Sequence, residues 1–488
     1  MGNYILVIIA IYLAFIMLIS YLSGKRNSSN ETFFLANRTT PWYVVAIGML
    51  GDSISGVTFV SVPGMVGGFD MTYMQLVFGF FFGYVVVAYV LLPLYYRMNL
   101  VSIYTYLEKR FGIYSYRTGA SFFLLSKTVG AAAKLYLIVL ILQTLVFNQL
   151  GVPFYVTVTG VVMIIWLYTF RSGMGTIIWT DVLQTICLLT ALGLIVWQVS
   201  FRLDFGLSDI VATVKSSPHS RIFVFDDWHS RQNFFKQFLS GIFIVIVMTG
   251  LDQNMMQKNL TCRNLREAQK NMLTYGFGFI PMNYLFLVLG ILLLTFAVRF
   301  HISLPVHSDE ILPLLASQYL GIPALLCFAL GIVAASFSNA DSALTSLTTS
   351  FCVDLLGMEH HHKGNARLIR NIVHFSICVL FILIILFINY MGQTNILNTI
   401  YVAVSYTYGP LLGLFAFGLF CKRSVRDRLT PYICIMAPLL SYAVEWGLRT
   451  MFDYQVGYEI LLFNGAVTFL GLFLISNKQS SVAMPIKF

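Results

Sequence analysis

Residues 371–421 contain no Asp, Glu, Lys or Arg. A water-soluble domain carries about 25% charged residues and cannot leave so long a stretch bare. One membrane crossing needs about 20 apolar residues, so this stretch predicts two helices divided at the turn-like MGQTN (391–395). The rest of the chain agrees: 58% of its residues are hydrophobic and 10% charged, with a mean hydropathy of +0.80. The apolar runs are continuous, unlike the alternating strands of roughly ten residues that build membrane β-barrels. The expected class is an all-α membrane protein.

Apolar runs place about thirteen transmembrane helices, near 3–23, 42–66, 71–96, 118–149, 152–170, 173–201, 233–256, 271–298, 320–351, 369–390, 395–421, 430–449 and 455–476. Most basic residues then fall in alternate loops: Lys25 and Arg26, Lys109 to Arg117, Lys258 to Lys270, and Lys422 to Arg428. That bias is the positive-inside rule. It predicts an external N-terminus, a cytoplasmic C-terminus and a plasma-membrane location, the inner membrane if the source is bacterial. The net charge of +10 therefore reads as topology, with the lipid bilayer as partner and no nucleic acid. The first span has no basic residue before it and two after it, so it reads as a retained anchor rather than a signal peptide. Sequons at Asn27, Asn30 and Asn37 fall in the cytosol on this topology and read as chance matches. The seven cysteines fall in spans or cytosolic loops, with no external pair to bridge. The run His360 to His362 reads as a solvated tract.

Six charges lie within spans: Asp52, Lys127, Lys134, Asp181, Asp252 and Asp341. Each costs roughly 2.5–3.5 kcal/mol to insert. Together they predict a polar pathway through the bundle. Asp52 lies in GMLGDSISG (48–56) and Asp252 in MTGLDQN (248–254). Glycine and short polar residues there let a helix unwind, and unwound backbone at membrane depth survives only where it lines a cavity. The two interruptions fall in spans 2 and 7. That is the spacing of an inverted repeat made of spans 2–6 and 7–11, with the solute site at the breaks. In span 9, Ser338, Ser342, Thr345 and Thr349 form one helical stripe, overlapped by Asp341 and Thr348. Hydroxyl and carboxylate oxygens suit a small hard cation. The hydroxyls of Thr348, Thr349 and Ser350 equally suit bonds back to their own helix.

SGVTFVSVPG (55–64), WTDVLQ (179–184), GLDQNMMQKNLTCRNLREAQ (250–269) and SNADSALTSLTTSFCVD (338–354) resemble the sodium/solute symporter family. The resemblance covers nearly the whole chain. It implies a LeuT-like five-plus-five inverted repeat with one extra N-terminal helix and two extra C-terminal helices. The expected divisions are 1–40, the first repeat half at 41–232, the second at 233–428, and the C-terminal helices at 429–488. It also implies a sodium site between spans 2 and 9, with carbonyls from Gly51, Ile54 and Ala335 and side chains from Ser338 and Asn339. The family usually has Ser or Thr where Asn339 stands. A second site in some members maps onto Asp181, Asp341 and Ser342, for sodium or a proton. Asp341 replaces the family's common Ser, and pairing with Lys127 or Lys134 is its alternative. Substrate contacts map onto Ser53, Ser55, Thr58, Gln75 and Asp252. Lys127 and Lys134 share a face of span 4 and suit a substrate carboxylate or neutralisation of Asp341 or Asp52; both readings stay open.

The resemblance makes the chain a symporter that imports a small polar solute (a sugar, sugar acid, amino acid or organic acid) by alternating access, with Na+ as coupling ion. No covalent chemistry is implied. No Walker loop supports ATP-driven transport. The rival readings are proton coupling through the intramembrane carboxylates and a membrane sensor on a transporter fold. The short tail after the last span (477–488) argues against the sensor.

Overall fold

The computed structural model describes residues 2–24, 35–169, 174–358, 366–391, 396–452, 454 and 456–480. Lys25, Arg26, the sequons at Asn27 and Asn30, His360 to His362 and the turn residues 392–395 lie outside them.

The chain is almost wholly helical. α1 runs Gly2–Gly24. The second apolar run is two helices, α2 (Trp42–Ser53) and α3 (Gly56–Gly64), bent by 59°. There follow α4 (Tyr73–Arg97), α5 (Ile113–Leu142), α6 (Phe154–Thr169) and α7 (Met174–Leu203). The seventh run is again a pair, α8 (Phe234–Gly250) and α9 (Gln253–Asn259), bent by 70°. Then come α10 (Leu265–Arg299), α11 (Ile322–Ser350), α12 (Ala366–Met391), α13 (Ile396–Phe420), α14 (Thr430–Phe452) and α15 (Ile460–Leu474). The helices overlap the expected apolar runs, two of which are split into bent pairs. Length and hydropathy alone support six crossings among the described residues, or eight with the two bent pairs. The protein is a multi-pass membrane protein.

Both breaks lie where glycine and short polar residues predict them, and each restarts on a side-chain cap. Ile54 and Ser55 leave the helical region (ψ 90° and 165°), and Ser55 accepts from Thr58 N at 3.3 Å. Asp252 is extended (φ −101°, ψ 119°) and accepts from Met255 N at 3.2 Å. Ser and Asp favour this position because their oxygen satisfies an amide that has no partner within the helix. The last helical bond of α2 runs from Ile54 N to Leu50 O. The carbonyls of Gly51 to Ile54 therefore lack helical donors. The freed carbonyls of the other break are taken: Gly250 O by Tyr95 Oη (2.8 Å) and Leu251 O by Tyr104 Oη (2.9 Å).

The breaks sit deep in the bundle. α7 packs on α2 and α11, α4 on α8, and α13 on α5 and α15. α4 and α8 meet backbone to backbone. A Cβ at Gly241 would lie 2.3 Å from Leu76 O and one at Gly79 2.2 Å from Phe238 O, the close approach small residues permit in membranes. α2 is seated against α7 in the same way. A Cβ on Gly51 would fall 2.0 Å from Thr185 Oγ1, which already donates to Ile47 O (2.9 Å) and Asp181 O (2.7 Å). Gly51→Ala should therefore cost about 1–3 kcal/mol through overpacking, read as a fall in the thermal midpoint of purified protein. An unchanged midpoint would contradict this packing.

One end of the molecule collects basic side chains and the chain's only described strands. β1 (Arg423–Val425) pairs antiparallel with β2 (Ser476–Ser480). Arg110 donates to Gly418 O (3.2 Å), Cys421 O and Arg423 O (3.1 Å). Asp427 accepts from Tyr114 N and Ser115 N at the start of α5.

Candidate functional site

Four of the six charges expected within spans are held in a pair or a group of three. Asp52 on α2 is 4% exposed and Asp181 on α7 0%. Between them stands the ammonium of Lys258 on α9, also 0% exposed, 2.9 Å from Asp52 Oδ2 and 2.6 Å from Asp181 Oδ2. Asn254, one turn earlier, donates to the same Asp52 oxygen at 2.8 Å. Asp181 Oδ1 accepts from Ser338 Oγ on α11 at 2.6 Å. A single buried network thus joins one half of each broken span, α2 and α9, to α7 and α11. This corrects the sequence reading of Lys258, which placed it among cytosolic loop charges. The helix restarts at Gln253, so its amine returns to the interior. Neither Lys127 nor Lys134 neutralises Asp52; Lys258 does.

A second group faces a cavity of about 120 Å³ beside the breaks. Asp252 is 1% exposed. It accepts from Lys127 Nζ at 3.1 Å and Tyr408 Oη at 2.7 Å. Lys134 also lines the cavity. It makes no ion pair among the described residues, and its amine donates to Asn339 Oδ1 at 3.3 Å. Ser53 lines the cavity too, bonded to Tyr275 Oη, which itself meets Tyr84 Oη at 2.7 Å. Phe80, Phe279 and Met248 supply apolar wall.

Of the substrate contacts mapped from sequence, Ser53, Lys127, Lys134 and Asp252 border this cavity, while Ser55, Thr58 and Gln75 do not. Ser55 caps α3 and bonds Thr58. Gln75 is fully buried and pins the loop before α8: its amide donates to Gln232 O (2.8 Å) and accepts from Val224 N (3.0 Å).

The residues mapped to sodium are also partly drawn together. Gly51 and Ile54 lie at the break with carbonyls free of helical partners. Asp181 Cβ is 3.2 Å from where a Cβ on Gly48 would stand, one turn before Asp52, and Ser338 is bonded to Asp181. Carbonyl, hydroxyl and carboxylate oxygens of this set fit a hard monovalent cation. Asn339 is turned otherwise. Its Nδ2 donates to Ala335 O at 3.1 Å and its oxygen faces Lys134. Of the residues mapped to a second site, Asp181 is engaged by Lys258 and Ser338. Asp341, 0% exposed, accepts from Tyr168 Oη (3.0 Å) and Ser342 Oγ (3.3 Å). Asp341 pairs with neither Lys127 nor Lys134. Several other hydroxyls of α11 return to their own helix, as Thr348 to Leu344 O (2.6 Å) and Thr349 to Thr345 O (2.8 Å) do.

Reading residues by their type alone missed Lys258, Tyr168, Tyr275 and Tyr408. The signal for Lys258 was its i, i+4 spacing from Asn254 on a helix restarting at Gln253, which points both at one partner. Tyrosines carried none, since 27 of them are spread along the chain.

The model of the sodium:solute symporter family matches residues 33–427. The chain belongs to this family. A sodium/sialic acid symporter of Aliivibrio fischeri is 25% identical over 94% of this chain and 91% of its own. A solved Na+-coupled sialic acid symporter, captured substrate-bound and outward-open, superposes with a TM-score of 0.81 over 97% of both chains at 20% identity. Mhp1, a nucleobase-cation-symport-1 transporter, follows at 0.61 over 92% of this chain and 94% of its own, with 15% identity. The symporter has the LeuT-type fold, with α2–α3 and α8–α9 as its two broken spans. It is a sodium-coupled carrier of a small solute.

Proposed function

We propose that the symporter imports a small organic anion and that Lys134 holds its carboxylate. The carrying observation is the charge balance around the cavity. Lys127 is matched by Asp252, and Asp52, which also borders the cavity, is matched by Lys258. Among the described residues, Lys134 alone of these three has only an amide oxygen for a partner. An ammonium facing a small cavity attracts an anion. The hydroxyls of Ser53, Tyr275 and Tyr408 bind the remaining polar groups, and Phe80 and Phe279 take the carbon skeleton. Ligand pockets usually measure about 300–1,000 Å³, so this cavity of about 120 Å³ suits a compact acid. The relatives named for sialic acid carry a carboxylate-bearing solute as well.

Sodium, in this reading, sits where the carbonyls of Gly51 and Ile54 meet Ser338, next to Asp181. It joins the break of α2–α3 to α11 and so favours one arrangement of the carrier. Solute and sodium then raise each other's affinity by the same factor. The basic residues Arg110, Arg423, Arg426 and Arg428 near one end support a cytoplasmic C-terminus, and the N-terminus lies outside.

The test is a thermal-shift screen of purified protein in sodium against potassium, over lactate, proline, galactose and N-acetylneuraminate. A carboxylate should stabilise only in sodium, by about 2.7 kcal/mol at a hundred times its Kd. Stabilisation by galactose equal to that by the acids would overturn the anion reading. In Ser338→Ala the sodium concentration giving half of the shift should rise at least tenfold, as expected for a lost charge-assisted contact. An unmoved sodium dependence would remove Ser338 from the site.

A second reading has one observation in its favour. Asp341 is fully buried and, among the described residues, has only hydroxyls as partners, an arrangement that suits a carboxylic acid. A proton then takes the place of a second sodium. Uptake driven by a pH gradient without sodium, abolished in Asp341→Asn, would support it; uptake that needs sodium alone would remove it.

A further inference from the structure

Asn339 on α11 stands between the cavity and the residues mapped to sodium. It borders the cavity. Its Oδ1 accepts from Lys134 Nζ at 3.3 Å, and its Nδ2 donates to Ala335 O, one turn earlier, at 3.1 Å. Ser338, the preceding residue, donates to Asp181 at 2.6 Å. One short side chain thus touches both the amine that faces the solute and a carbonyl mapped to sodium.

An amide makes this contact directional. Its oxygen only accepts and its nitrogen only donates. An ammonium only donates and a carbonyl only accepts. A single orientation therefore satisfies both neighbours, and it is the one present. That orientation opposes sodium at Ala335 O in two ways. It aims an N–H at the place a cation would take, and it is held by the positive charge of Lys134.

The opposite orientation suits the loaded carrier. A solute carboxylate resting on Lys134 sets acceptor oxygens beside Asn339. Half a turn about χ2, a broad and roughly two-fold torsion, exchanges the two ends of the amide. Nδ2 then donates to the solute, and Oδ1 turns to Ala335 O, where a hard cation fits between two oxygens. With solute alone, two oxygens face each other in this orientation. With sodium alone, an N–H faces the ammonium. Every contact is favourable only when both ligands are absent or both are present, which is a positive coupling between them.

We propose that the side-chain amide of Asn339 is the switch that couples solute to sodium, lying one way in the empty carrier and the other way in the loaded one. The proposal rests on the reading that Lys134 holds the solute carboxylate and that sodium lies beside Ser338. It adds the part that carries the one event to the other. No covalent bond changes, and the backbone of α11 stays helical. A Ser or Thr hydroxyl at this position has no opposed donor and acceptor ends and could not act in this way.

The test follows the sodium dependence of the thermal shift of the purified full-length protein, with potassium keeping the salt constant and lactate and N-acetylneuraminate as probes. In the wild type a saturating acid should lower the sodium concentration giving half of the shift about tenfold or more, the effect of one hydrogen bond to a charged group. In Asn339→Ser that effect should be smaller by roughly threefold or more, the remainder being carried by charge alone. A second arm needs no solute. Lys134→Met frees the amide, so sodium alone should bind about tenfold more tightly than to the wild type. In the Asn339→Ser background the same substitution should gain less, again by roughly threefold or more. Equal gains in the two backgrounds overturn the switch, and so does an acid whose effect on sodium survives Asn339→Ser. If Asn339→Ser does not fold, Asn339→Thr takes its place in both arms. The underlying reading fails separately: acid affinity that survives Lys134→Met removes the anchor, and the second arm then decides the switch by itself.

Discussion

Lys258→Met should lower the stability of the symporter by roughly 3–5 kcal/mol and abolish solute uptake. Removing one partner of a buried ion pair leaves the other charge without compensation, and that cost is of this size. Here the loss is compounded, because one ammonium serves two carboxylates, Asp52 and Asp181, at 2.9 Å and 2.6 Å. Methionine keeps most of the side chain's apolar stem and none of its charge, so the effect is chiefly that of the charge. Two measurements check it. The thermal midpoint of purified Lys258→Met in potassium should fall well below that of the wild type, and adding Asp52→Asn to it should restore part of the loss. Sodium should also stabilise Lys258→Met more than it stabilises the wild type, because the ion supplies a positive charge next to Asp181. A midpoint equal to that of the wild type in potassium would mean that the three charges do not form the network described. The effect on uptake follows from position: Lys258 lies on α9, the second half of a broken span, and ties it to α2 and α7.

Lys134→Met should weaken solute binding about 10- to 150-fold and leave stability nearly unchanged. A hydrogen bond to a charged group contributes about 1.5–3 kcal/mol, which gives that range. The amine has no carboxylate partner among the described residues, so its removal strands no buried charge. Lys127→Met should behave in the opposite way. It removes the cation from Asp252, which is 1% exposed, and should destabilise the protein whether or not solute is present. The pair of variants therefore separates an anchor from a structural counter-charge. Isothermal titration of both proteins with the best acid from the thermal-shift screen, together with their thermal midpoints, makes the comparison. Solute affinity that survives in Lys134→Met would overturn the anion assignment while leaving sodium coupling intact.

The sixfold set of interior charges shows how far residue patterns reach. Asp52 and Asp252 were legible as break residues because glycine and short polar neighbours mark unwinding locally, and the structure bends there by 59° and 70°. Lys127 and Lys134 were legible as one face of a helix. Their partners were not. Asp252 is 125 residues from Lys127 and Asn339 is 205 from Lys134, and no local rule connects such positions. Gln75 was mapped to the substrate by resemblance; in the structure its amide closes the hydrogen bonds of a loop that returns from residues 224–232.

Periodicity, apolar length and the rarity of charge were sufficient for the membrane, the helices and the two interruptions, because each is a property of about twenty neighbouring residues and of the lipid around them. Motif spelling carried the family. The pairing of charges lay beyond both. Lys258 follows Asp252 by one and a half turns, and sequence places it in a basic cytosolic loop. Only the 70° turn at Leu251 and Asp252 sends its amine inward, to two carboxylates from different helices. Which oxygen meets which nitrogen depends on how the helices pack, and packing brings together residues whose distance along the chain carries no information about their distance in space.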